Sequence, residues 1–152
     1  MDEAEPAYTG WRERELTAVT DAVRRLPALC GEDGEFGLTA RFWTGALWVG
    51  IDDELFVAEV ESGAVTACDA TNGAVPDVAG QFGFVGPLDV WWRLLQPMPE
   101  PGFHDIVPAQ YAGMRRVGHR DTYWQYFPAA RRVIDLLRNE VTRSVSAAGA
   151  AQ

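Results

Sequence analysis

Residues 36–70, FGLTARFWTGALWVGIDDELFVAEVESGAVTACDA, decide the fold class. Three strand-like stretches, Ala46–Ile51, Leu55–Glu61 and Ala64–Ala70, are preceded or separated by Thr44-Gly45, Asp52-Asp53-Glu54 and Ser62-Gly63, all turn material. Successive strands joined by short turns predict an antiparallel meander. The period of two extends upstream, with Phe36, Leu38, Ala40 and Phe42 on one side against Thr39, Arg41 and Trp43, and predicts a further strand there. Asp52, Asp53 and Asp69 match no calcium-loop spacing and read as solvated turn acids.

Outward from the meander the period becomes helical. Upstream, Leu16, Val19, Val23 and Leu26 make one apolar stripe over Tyr8–Leu29, with Thr9 as candidate N-cap, Glu13 and Glu15 toward the positive end, and Pro27 and Gly31 as interruptions. Downstream, residues 71–81 read as a connector and Phe82–Val85 as a strand. Pro87 then opens a helix with Leu88, Val90, Trp91, Trp92, Leu94 and Leu95, apolar around much of its circumference. Pro97, Pro99 and Pro101 force an extended connector before a short helix over Phe103–Gln110. Met114–Gly118 reads as a last strand. Asp121 then caps a helix over Thr122–Val141 with the stripe Tyr123, Phe127, Ala130, Ile134, Leu137 and Val141, and Pro128 near its start.

With 152 residues, 47% of them hydrophobic, the chain predicts one domain, placed at 8–143, with 1–7 and 144–152 as flexible termini. Acidic residues outnumber basic ones 22 to 13, for a formal charge of −9, which disfavours nucleic acid as a partner. Every basic residue is arginine, so Schiff-base and P-loop lysine chemistry are excluded. Two cysteines without a framework, an N-terminal stretch with neither a basic leader nor an apolar run, and no apolar run long enough to cross a bilayer predict a reduced, cytoplasmic protein without a transmembrane segment.

No motif specifies catalysis, a metal or a cofactor, and none of the three is expected. His104 and His119 are too few for a three-histidine metal centre, Cys30 and Cys68 read as small buried hydrophobes, and Gly83 and Gly86 lack the loop of a phosphate cradle. Residues 112–143 carry a local +4 while everything before them carries −13. Arg115, Arg116 and Arg120 could there hold an anionic headgroup, with ordinary solvation as the alternative.

The order Gly83-Phe84-Val85-Gly86-Pro87-Leu88, Trp91-Trp92-Arg93-Leu94-Leu95, Ile106–Gly113, then Met114-Arg115-Arg116-Val117-Gly118 before a long helix resembles the sterol carrier protein 2-like superfamily over residues 12 to 140. The family's strand-ending glycine-aspartate is Gly118-His119 here. The resemblance implies an α+β fold, a five-stranded, largely antiparallel sheet covered by helices on one face. It also implies non-catalytic binding or carriage of a lipid or other hydrophobic small molecule between sheet and helices. By position, the walls would be Phe84, Leu88, Trp91, Trp92, Leu95, Phe103, Ile106, Val107, Tyr123, Trp124 and Phe127. The aromatic walls and the proline connector depart from the family and favour a filled cavity or a flat ring ligand over a sterol-sized or straight-chain one. Two alternatives stand beside the carrier: an interaction or dimerisation module, with a homodimer or partner enzyme, and a small enzyme using His104 or His119 as acid or base.

Overall fold

Alternation in the central segment produces the expected meander. The computed structural model describes residues 4–150, with side chains from 10 to 149, and contains β1 (Gly45–Ile51), β2 (Glu54–Glu61) and β3 (Ala64–Thr71) as successive antiparallel neighbours. Asp52 (φ 53°) closes the first hairpin, and Ser62 and Gly63 (φ 48° and 84°) close the second; paired positive φ values match the right-handed strand twist. Residues 72–80 then carry the chain to β4 (Gln81–Gly86), which lies parallel to β1 on the side away from β2. With β5 (Arg115–Gly118) antiparallel to β4, the sheet order is β3-β2-β1-β4-β5: five strands, largely antiparallel.

One sheet face carries Leu47, Val49, Ile51, Phe56, Ala58, Val60, Phe82 and Phe84, which are buried with helical side chains in a single core. The helices covering it are α1 (Ala4–Arg24), α2 (Leu26–Gly31), α3 (Gly34–Thr39), α4 (Leu88–Leu94), α5 (Ile106–Ala109, followed by a 3-10 turn to Ala112), α6 (Arg120–Gln125) and α7 (Phe127–Ala150). Trp91 of α4 donates its indole N–H to the Gly50 carbonyl at 2.8 Å, and Asp52 accepts from the Leu88 N–H at 2.8 Å, so α4 is fastened to the end of β1. Trp43 stacks between Phe82 and Tyr126, at 5.3 and 5.1 Å between ring centres.

The strand expected at Phe36–Phe42 is instead helix α3. Asp33 accepts from the Phe36 N–H at 2.8 Å and caps it, and burial falls on Phe36 and Ala40, one helical turn apart, while Leu38 and Phe42 are 63% and 76% exposed. Two further caps differ. Helix α1 already runs through Thr9 from Ala4, which places Glu15 deep in the helix and not near its positive end. His119 caps α6, its Nδ1 accepting from the Thr122 N–H at 3.2 Å, and Asp121 sits in the first turn. The expected closing helix is broken at Tyr126, with Pro128 in the first turn of α7, where its missing N–H costs nothing. Pro87 stands just before α4 as its N-cap, and Phe103 lies outside α5. Helical structure extends beyond the 8–143 bounds at both ends.

Arg132 of α7 clamps Asp33 through two bonds of 2.7 and 2.8 Å, which ties the α3 cap to the roof. That guanidinium holds the Asp33 carboxyl below the ordinary range against the opposing effect of burial, with the Phe36 N–H adding to it. A depressed folded value means stability that is complete above the unfolded pKa and is lost as pH falls toward the folded one. Asp33→Asn should therefore flatten the acid limb of stability against pH, measured by urea unfolding from about pH 7 to about pH 3. Parallel curves for the two proteins would remove this pair from the account.

Candidate functional site

Six of the eleven expected chamber walls lie in the packed interior. Leu88, Trp91, Leu95 and Ile106 have no exposed surface, and Phe84 and Tyr123 are buried with their rings edge-on at 6.0 Å. Phe127 and Phe103 are half-buried, and arginine guanidinium groups cover their rings: Arg131 at 5.2 Å and Arg93 at 5.3 Å from the centres. Val107 and Trp124 face outward, Trp124 being 65% exposed. Of the expected walls, Trp92 borders a groove.

That groove runs between residues 10–21 of α1 and the last turns of α7, with Trp92 of α4 beside it, and holds about 580 Å³. Trp11, Glu15 and Ala18 recur at helical spacing on one face of α1, and Val145, Ala148 and Gly149 line it from α7. It exists because α7 changes character: Val141 is its last buried apolar residue, and Ser144, Ser146, Ala147, Ala148 and Gly149 are too small to fill the space beside α1. Leu16, Val19 and Val23 mark the buried side of α1, and Leu26 of the expected stripe opens α2; the signal missed was Trp11 and Ala18 flanking Glu15 on an adjacent side.

Glu15 is 8% exposed, and its Oε1 is closed from solvent without a hydrogen-bond partner among the described residues. Burial first, and Asp89 second, push its carboxyl above the ordinary range, while Arg12 pulls it down. Glu13 and Asp21 also line the groove, and its arginine, Arg14, turns back to donate to the Gly10 carbonyl at 3.3 Å.

Arg115 and Arg116, adjacent on β5, alternate to opposite sheet faces, so the expected headgroup cluster is divided. The Arg116 guanidinium lies over the Tyr123 ring at 5.3 Å, whereas Arg115 lines a second hollow of about 540 Å³ with Arg12, Asp52 and Asp53. Arg12 is bound to Asp52 there, and Arg120 sits exposed at the start of α6. His104 borders a third, 210 Å³ hollow beside Asp105, whose carboxylate is taken by Arg131 and by the Ile106 N–H. His119 is occupied by its cap, with Thr122 Oγ1 at 2.9 Å from Nδ1. Burial pushes the Cys30 and Cys68 thiols up to about 12, so neither is a thiolate at neutral pH. No helix among the described residues is long and apolar enough to cross a membrane.

Comparison with protein-family models and with curated proteins finds no match. Among solved structures, the crystal structure of sterol carrier protein 2 superposes with a TM-score of 0.58 at 17% identity, over 80% of this chain and 94% of that one. The solution structure of a conserved hypothetical protein from Thermus thermophilus, suggested to be a sterol carrier protein, superposes with a TM-score of 0.57 at 16% identity, over 78% and 85% of the two chains. At these identities the likeness is one of architecture, and this chain adopts the sterol carrier protein 2-like fold.

Proposed function

We propose that the chain binds a lipid or other hydrophobic small molecule without covalent chemistry, and that the groove between α1 and α7 is where it does so. The observation carrying this reading is an apolar groove of ligand size, walled by Trp11, Ala18, Trp92 and Val145, on a fold whose similar solved structures include a sterol carrier protein. A ligand that buries roughly 300 Å² of apolar surface gains on the order of 7 kcal/mol before ordering costs. Trp91 and its neighbours are buried in the interior where the resemblance puts the site, whereas the groove is open to solvent, which supports placing the ligand in the groove.

Nile red, a neutral apolar fluorophore, should bind saturably to the full chain. Ala18→Trp places an indole in the groove and should weaken uptake by about tenfold or more, equivalent to about 1.4 kcal/mol, with the near-ultraviolet circular dichroism retained. Absence of saturable uptake by the unmodified protein would remove the binding reading. Uptake indifferent to Ala18→Trp would move the site elsewhere.

A further inference from the structure

The groove is chemically lopsided in a way that an apolar container does not require. A buried carboxylate oxygen without a donor is costly, because it has lost water and gained nothing in return. Among the described residues Glu15 Oε1 has no donor, and Glu15 is one of the side chains that line the groove. The other charged lining groups are Glu13 and Asp21 against Arg14, so the local field attracts cations. Trp11 and Trp92 supply two indoles, the side chain whose ring face best attracts a cation. The arginines that would hold a carboxylate or phosphate head, Arg115, Arg116 and Arg120, lie on β5 and α6 and do not line this groove.

We infer that the groove selects an apolar molecule bearing a cationic, hydrogen-bond-donating head, an amine on an aliphatic or aromatic body, and that Glu15 accepts the hydrogen bond from that head. This rests on the groove being the ligand site and adds the class of ligand. An ammonium beside Glu15 would satisfy the orphaned acceptor and gain a charge-assisted bond in a partly desolvated setting, where such bonds are about twice as strong as neutral ones. A fatty acid would bring its carboxylate against Glu13, Glu15 and Asp21.

Isothermal titration of the full chain with dodecylamine, dodecanol and dodecanoic acid, each below its aggregation threshold, tests this. Dodecylamine should bind about tenfold or more tightly than dodecanol, with dodecanoic acid weakest. Glu15→Gln, which keeps the side-chain shape, should bring dodecylamine to the affinity of dodecanol and leave dodecanol unchanged. Glu54→Gln removes the same charge from the exposed start of β2 and should leave the order intact. Equal binding of amine and alcohol, tightest binding of the acid, or an equal loss from Glu54→Gln would each overturn the inference while the carrier reading stands. Binding by none of the three would overturn both. If Glu15→Gln does not fold, the order of the three ligands on the unmodified chain still decides.

Discussion

Trp91→Ala is expected to destabilise the protein by about 3–5 kcal/mol, lowering the melting temperature by roughly 10 °C or more, without creating a useful ligand site. Trp91 is fully buried, and its indole N–H donates to the Gly50 carbonyl at 2.8 Å. Truncation removes the largest fully buried side chain of α4, opens a void between helix and sheet, and leaves a buried carbonyl short of a donor. The same substitution separates two descriptions of the interior. A wall around an empty chamber would lose little contact and would admit more ligand when shortened, whereas a side chain that fills the volume loses its whole packing. A small loss of stability with increased Nile red uptake would reinstate the chamber between sheet and helices.

Gly83→Ala is expected to cost more than about 3 kcal/mol, beyond the usual range for overpacking, and to leave little folded protein. Gly83 lies in β4 opposite Trp48 of the parallel strand β1. A Cβ there would stand 2.6 Å from the Trp48 carbonyl carbon and closer still to its oxygen. Side chains in an overpacked core can change rotamer, but here the obstruction is the backbone of the neighbouring central strand, so relief means moving the β1/β4 pair apart. Soluble yield and the urea midpoint check this; a midpoint near that of the parent would mean the two strands have room the structure does not give them.

The meander was legible because its instructions are local. Residues Ala64–Ala70 were bounded by Ser62-Gly63, and a two-residue turn with two positive φ values sets both the strand ends and their pairing. Phe36–Phe42 misled because alternation over a short apolar run also fits a helix with half its residues exposed. The deciding signal was Asp33, three residues before Phe36, and a cap outweighs periodicity at such length. His119 is missed as a cap for a related reason: imidazole is rarely used there, and its partner Thr122 is held by a distant group, the Gly80 N–H, which donates to Thr122 Oγ1.

The groove was not legible at all. Its walls come from residues 10–21 of α1, from Trp92 and from the end of α7, and no spacing within one segment announces that two helices diverge. The expected walls were apolar for another reason. Leu88, Trp91, Leu95 and Ile106 have the composition of a pocket lining, but the same side chains, brought to contact distance, are simply an interior. Sequence pattern gives which faces are greasy, and the separation between those faces depends on the whole set of helix positions.

The parallel contact between β1 and β4 bears on how the chain is made. Translation delivers β1, β2 and β3 first, and their hairpins can close as they leave the ribosome, but the other margin of β1 has no partner until residues 72–80 have passed and β4 has emerged. During that interval Leu47, Trp48 and Val49 present open amide and carbonyl groups beside large apolar side chains, the combination that recruits a strand from a neighbouring nascent molecule. Slow elongation between residues 52 and 86 would lengthen that exposure.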